Sequence, residues 1–190
     1  MEIFALEDGT ALAIRPIEAD DRERLRESHA RLSPESRYRR FLTTKPELSA
    51  ADARYLVELD GCDHFALVAT RSDIPGEPIV AVARYVRAPD DPTVAEFAIV
   101  VGDPYQRQGL AGELMRRLAD AAVARGVLRF RATMLADNLA IARVVARLAH
   151  GPVRREYLGS VSEVEIDLTS AGTAELIPFP ASDGHEATAA

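Results

Sequence analysis

Cysteine is almost missing from this chain of 190 residues: Cys62 stands alone, and tryptophan is absent. One cysteine excludes an intramolecular disulfide and any multi-cysteine metal site. With Asp60 and Asp63 close by, Cys62 is also a poor candidate for a thiolate that carries a covalent group. No apolar run approaches the roughly 18 residues that a membrane-spanning helix needs. The first residues, MEIFALEDGTALAIRP, lack the basic start and apolar core of a secretory signal. A cytoplasmic protein with no membrane partner is the expectation. Basic residues are outnumbered, 23 against 30 acidic, and a net charge of −7 gives no footprint for nucleic acid. No metal is implied, and oligomeric state is left open.

Apolar residues make up 47% of the chain and charged residues 28%, an ordinary globular balance. The length suits one domain, expected over residues 1–169. The segment from Ser170 onward is aperiodic and rich in Ala, Gly and Pro, which predicts a flexible tail over residues 170–190. Seven stretches read as strands: Ala11–Ile17, His64–Arg71, Pro78–Arg87, Thr93–Val101, Leu128–Leu135, and the late strings PVRREYL and SVSEVEIDL. The second and third are joined by the turn-rich SDIPGE and predict a hairpin.

Helical spacing covers Glu18–Leu32, with acidic residues in its first turn and basic ones later. Ser33 before Pro34 predicts a capped second helix, and Ser49 with Asp52 predicts a capping box on a third. A fourth helix runs from Leu110 to Gly126, and Asn138 opens a fifth. The pattern predicts an α+β fold, a mixed central sheet of six or seven strands flanked by helices. Within it, Thr93–Leu135 forms a right-handed parallel strand–helix–strand unit.

That unit contains the string YQRQGLAG, Tyr105–Gly112, where an apolar strand becomes an amphipathic helix. No Lys-Ser or Lys-Thr follows the glycines, so it is not a P-loop, and it lacks the GxGxxG of dinucleotide folds. Gly109, Ala111 and Gly112 keep side chains clear of the helix start, whose unpaired N–H groups and partial positive charge suit a phosphate. Gln106, Arg107 and Gln108 add donors nearby. The bland alternative is a helix start that needs small residues for close packing.

The order strand, Gln-x-x-Gly-x-Ala, helix, strand, Asn-capped helix resembles the GNAT acyltransferase superfamily from about Gly9 to about Leu168. The strings SPESRYRRF, HFALVA, VARYVR, AEFAIVV and LADN are similar to the bacterial Pat-like protein lysine acetyltransferases. Some members of that branch carry a second, regulatory domain, for which 190 residues leave no room. The resemblance implies acetyl-CoA, or another short acyl-CoA, as co-substrate. It puts the pyrophosphate on the backbone of Gln106–Gly112 and the pantetheine arm along the strand at Ile99 and Val101. It also puts Asn138 against the pantetheine or the thioester end, although Asn is a favoured helix N-cap without any ligand.

The chemistry implied is transfer to an amine, from a protein lysine or a small molecule, and it needs a base because a lysine amine has a pKa near 10.4. Glu96 is the one charged residue in Thr93–Val101, and its position matches the base of the Pat-like branch. Its structural alternative is an ion pair with Arg84 or Arg87 on the preceding strand. His64 reads as structural. Many family members place a tyrosine seven residues after the Asn as acid to the leaving thiolate. Val145 stands there, Ala149-His150 replaces the usual Gly-Phe, and no general acid is assigned. A catalytically silent acyl-CoA-binding module therefore stays open beside the enzyme. The basic SPESRYRRF segment reads as a solvated helix face ahead of a substrate contact.

Overall fold

Alternation with period two builds a single sheet, and both of its faces carry apolar side chains. The structure, a computed structural model, describes residues 2–149 and 151–169. The expected tail over 170–190 and the residue at 150 lie outside them. The sheet runs β1 (Glu2–Ala5), β2 (Ala11–Pro16), β3 (His64–Thr70), β4 (Ile79–Arg87), β5 (Val94–Val101), β6 (Arg129–Leu135), β8 (Val161–Asp167), β7 (Val153–Leu158). Neighbours are antiparallel except β5 and β6, the parallel pair of the strand–helix–strand unit.

Eight strands replace the six or seven expected. EIFA is four residues long, too short to show a period. It pairs with β2 through a turn in which Leu6 N–H donates to Thr10 O at 2.9 Å. Gly9 takes φ 85° in that turn, a backbone conformation that favours glycine.

Five helices cover the sheet: α1 (Arg22–Arg31), α2 (Pro34–Phe41), α3 (Ala50–Val57), α4 (Leu110–Val123) and α5 (Leu139–Leu148). The expected first helix begins instead as a 3₁₀ turn at Ala19–Asp21. The predicted caps form. Ser33 Oγ accepts from Ser36 N–H with Pro34 at the first helical position, and Ser49 and Asp52 make a reciprocal capping box. Leu110, Leu114, Leu118 and Ala122 of α4, four residues apart, are all at most 1% exposed. They pack with Phe65, Tyr85 and Phe97 from one sheet face, each leucine contributing about 1.5–3 kcal/mol. On the opposite face Ala66, Val68 and Val82 pack under Leu25 of α1 and Val57 of α3.

That second face is covered unevenly. Beyond β5 it carries Arg129, Arg131, Thr133, Glu163, Glu165 and Arg154, none of which belongs to either core. Among the described residues, no helix lies on this half. No helix among them is long and apolar enough to cross a membrane.

Arginine supplies the cation of the ion pairs among the described residues with one exception, Lys45 Nζ to Asp52 at 2.9 Å. The most buried pair fixes the start of α1. Asp21 is fully buried and accepts from Arg15 at 2.6 and 2.8 Å and from Glu18 N–H at 2.9 Å. Burial works to raise its carboxyl pKa, but these hydrogen bonds outweigh it and the net shift is downward. Asp21→Ala should cost about 3 kcal/mol in urea unfolding, because it strands Arg15. A lowered folded pKa means that the pair's stability is present above the ordinary aspartate value and is lost as pH falls through the lowered one. The Ala variant should therefore show a shallower acid limb.

Candidate active site

Parallel pairing between β5 and β6 lasts for three residue pairs, Val94 with Arg129, Ala95 with Phe130 and Glu96 with Arg131. β5 then stays on β4 as far as Val101, while β6 follows β8 to Leu135. The two strands part, and a cleft of about 520 Å³ opens between them. From Phe97 onward the β6-facing edge of β5 has no strand partner. Ile99 and Val101 line the cleft from one face of the strand, Ala98 and Val100 from the other, so the opening passes through the plane of the sheet.

At the outer end of β5 the chain makes a 3₁₀ turn, Asp103–Tyr105, then the loop that starts α4. Two residues of that loop take positive φ, Arg107 at 62° and Gly109 at 82°. Gly109 is the N-cap, no side chain caps the helix, and its first backbone bond runs from Glu113 N–H to Gly109 O at 3.2 Å. The first-turn N–H groups of Leu110, Ala111 and Gly112 are thus left over at a cleft that Ala111 and Gly112 line. A Cβ at Gly112 would meet nothing within 4 Å. Empty space beside orphan N–H groups at a helix N-terminus fits a phosphate-bearing ligand.

The polar side chains of the loop serve it differently from the sequence expectation. Gln106 Nε2 donates to Val101 O at 3.0 Å and to Ser36 Oγ at 3.1 Å. Gln108 Nε2 donates to Pro104 O at 3.0 Å, and this residue does not line the cleft. Both amides hold the loop's shape. Gln106 and Arg107 remain in the lining. Asp103 extends this bracing to α2, accepting from Ser33 N–H at 2.9 Å, Ser33 Oγ at 2.8 Å and Ser36 Oγ at 2.7 Å. These hydrogen bonds, with burial opposing, keep the Asp103 carboxyl below the usual range.

Asn138 does two jobs at once. Its Oδ1 accepts from Ile141 N–H at 3.3 Å as the cap of α5, while the residue, 9% exposed, also lines the cleft. Its Nδ2 has no partner among the described residues. No residue of α2 is buried, in keeping with a solvated face, yet Ser36, Arg39 and Arg40 also line the cleft, as do Arg143 and Arg147 of α5. Sequence reading missed these four arginines because their approach to β5 is set by packing between distant elements.

Glu96 is the last β5 residue before the strands part, on the sheet face opposite Phe97 and Ile99, and it adjoins the cleft without being one of its lining residues. It is exposed and accepts from Arg131 Nη2 at 3.3 Å. Neither Arg84 nor Arg87 pairs with it. Arg87 binds Asp63 at 2.7 Å, and Arg84 turns toward α3. The neighbour that matters comes from the parallel strand 35 residues on, not from the hairpin before it.

Known proteins share this fold. A family described as the acetyltransferase (GNAT) domain matches residues 11–149. The chain belongs to the GNAT acetyltransferase family. It is 38% identical over 166 residues to acetyltransferase Pat of Mycolicibacterium smegmatis, covering 87% of this chain and 47% of that protein. An acetyltransferase of Pseudomonas aeruginosa is 34% identical over 139 residues, 73% of this chain and 74% of that one. The solved GNAT domain of S. lividans PAT superposes with a TM-score of 0.77 at 31% identity, over 88% of this chain and 96% of that one. The chain thus spans about half the length of the M. smegmatis relative.

As a GNAT protein the chain departs from its family at Val145. This side chain is 2% exposed and sits in the core with Leu148 and Phe130, so no acid stands at the position of the family's tyrosine. Tyr157 does not replace it, lying 64% exposed on the terminal strand of the sheet with Arg155 stacked at 4.6 Å. Tyr105 lines the cleft, but beside the loop and not beside Glu96. Cys62 is exposed in a turn whose N–H groups donate to Asp60.

Proposed function

We propose that this GNAT acetyltransferase moves an acetyl group from acetyl-CoA to a lysine side chain of another protein, by direct attack without a covalent enzyme intermediate. The donor's pyrophosphate would rest on the first-turn N–H groups of α4, within the Gln106–Gly112 loop. Its pantetheine arm would follow the free edge of β5 at Ile99 and Val101, with Asn138 Nδ2 as a donor from across the cleft. Bound acyl-CoA supplies an activated thioester, and the protein's task is to align an amine and remove its proton.

Near neutral pH roughly one lysine amine in 2,500 is uncharged, so a base at the point of attack matters. Glu96 takes that role because it is the last β5 residue paired with β6, directly before the lining residues Phe97 and Ala98. Arg131 holds the carboxylate in place from the adjacent strand. With Val145 in the tyrosine position, the leaving thiolate takes its proton from solvent.

The observation that carries the protein-lysine reading is the half-face beside Glu96, over which no helix lies among the described residues. A lysine standing out from a folded partner reaches Glu96 there without a helix in the way. The likeness to Pat-type acetyltransferases supports the same choice.

The test is turnover against purified proteins and small amines under one set of conditions. Lysine on at least one protein should be acetylated with a kcat/KM above that of polyamines and free amino acids, through sequential kinetics, and Cys62→Ala should keep its activity. A small amine turned over orders of magnitude faster than any protein lysine would replace this reading. Ping-pong kinetics would remove direct attack.

A further inference from the structure

Beside the cleft lies a smaller cavity of about 30 Å³, closed by α1, α2 and α3 over the sheet face that carries Val82, Arg84 and Val100. Arg40 and Val100 line both spaces, so the cavity adjoins the cleft on the acceptor side of the sheet. Arg84 is 5% exposed, and one of its guanidinium nitrogens donates to Leu56 O at 3.4 Å and to His64 Nε2. The Arg40 guanidinium lies 4.7 Å above the Phe41 ring. Among the described residues, no carboxylate pairs with either arginine.

Burial, with Arg40 nearby, pushes the Arg84 guanidinium down to about 10, and burial alone takes Arg40 to about 10. Both remain charged at neutral pH. His64 cannot compensate them. Burial first, then Arg84, lowers it to about 4, leaving a neutral imidazole. Arg84, buried, and Arg40, partly so, thus share one cavity at the Leu56 end of α3, and the neutral His64 ring that Arg84 meets behind it brings no charge to balance them. Such an arrangement is costly until an anion joins it.

We infer that the Arg40–Arg84 cavity receives a carboxylate of the acyl acceptor, so that an amine with an acidic group close by is the preferred substrate. The inference rests on the N-acetyltransferase reading above and deepens it. Val86 pairs with Glu96, and Arg84 pairs with Ala98, one step along the same face. Glu96 and Arg84 are therefore diagonal neighbours on one sheet face, with Cα atoms about 7–8 Å apart. An acceptor whose amine reaches Glu96 thus passes the strand position that carries Arg84. The carboxylate comes either from an Asp or Glu next to the target lysine or from the free carboxylate of an amino-acid-like amine. The cavity's volume admits a group of carboxylate size and little more.

Two acceptor pairs test this and separate the sources: Lys-Glu against Lys-Gln in otherwise identical peptides, and free lysine against lysinamide. The acidic member of one pair should have a kcat/KM roughly 10- to 100-fold higher, as expected for a charge-assisted pair. Preference in the peptide pair assigns the carboxylate to a neighbouring side chain. Preference in the other assigns it to a free carboxylate. Arg40→Gln should bring the ratio of kcat/KM within the pair close to one, whatever it does to the two rates together, and Arg40→Lys should keep most of the ratio. Equal rates within both pairs would overturn the inference while leaving the acetyltransferase reading standing. A binding measurement works without turnover: N-acetylglycine should saturably shift the Nε–Hε resonances of Arg40 and Arg84, and Arg40→Gln should abolish the Arg84 response. No saturable shift in the wild type overturns the site even if no acceptor is acetylated.

Discussion

Glu96→Gln should lower turnover by roughly 10²–10⁴ while leaving acetyl-CoA affinity nearly unchanged. The glutamine keeps the size of the side chain and can still meet Arg131, but it cannot take a proton. Raising the pH should restore part of the loss, because below the amine's pKa each unit of pH rise makes about ten times more neutral acceptor. The competing explanation is that Glu96 is there for its ion pair with Arg131. That pair is exposed and spans 3.3 Å, and such surface pairs contribute about 0–1 kcal/mol, too little to unfold the protein. Arg131→Gln therefore serves as the control. It breaks the same pair without removing the base, so its loss should be much the smaller. Near wild-type turnover in Glu96→Gln at neutral pH would return the residue to a structural role.

Gly112→Leu should weaken acetyl-CoA binding by about 10²-fold or more, through lost hydrogen bonds to a charged phosphate. Its stability should move the other way. Gly112 sits inside the first turn of α4 at a position with nothing within 4 Å, and glycine in a helix costs about 0.8–1 kcal/mol relative to alanine. Calorimetry on a protein at least as stable as the wild type would then report the blocked site and nothing else. Gly109 cannot give so clean an answer: at φ 82° any larger residue is strained, and a loss of binding could follow from a distorted loop. Unchanged affinity in Gly112→Leu would remove the α4 N-terminus from the donor site.

What was legible in the sequence was local. Ser33 before Pro34, the Ser49–Asp52 box and the Asn138 cap each depend on residues within four positions, and each forms as read. The site's decisive geometry is not local. Nothing in VAEFAIVV announces that β6 will leave it after three pairs, because the splay depends on where β8 draws β6 away. The partner of Glu96 was sought on the hairpin strand and found on the parallel one. Asp103 braces Ser33 and Ser36, 70 and 67 residues earlier, so a loop that reads as donors for a ligand is partly occupied with holding α2. Arg40 and Arg84 look like surface charge in SPESRYRRF and VARYVR. Only the closing of three helices over β4 and β5 makes them a pair.

The arginine-for-lysine habit noted among the ion pairs has a meaning of its own for a catalyst of this kind. Of the 23 basic residues, Lys45 is the single lysine. A guanidinium keeps its proton at any physiological pH and makes no nucleophile for a thioester. All but one of the chain's basic side chains therefore keep their charge in the presence of the reagent that the protein handles. Lys45 itself is tied to Asp52 at 2.9 Å with its ammonium over Phe41, so the chain's single lysine amine is already engaged.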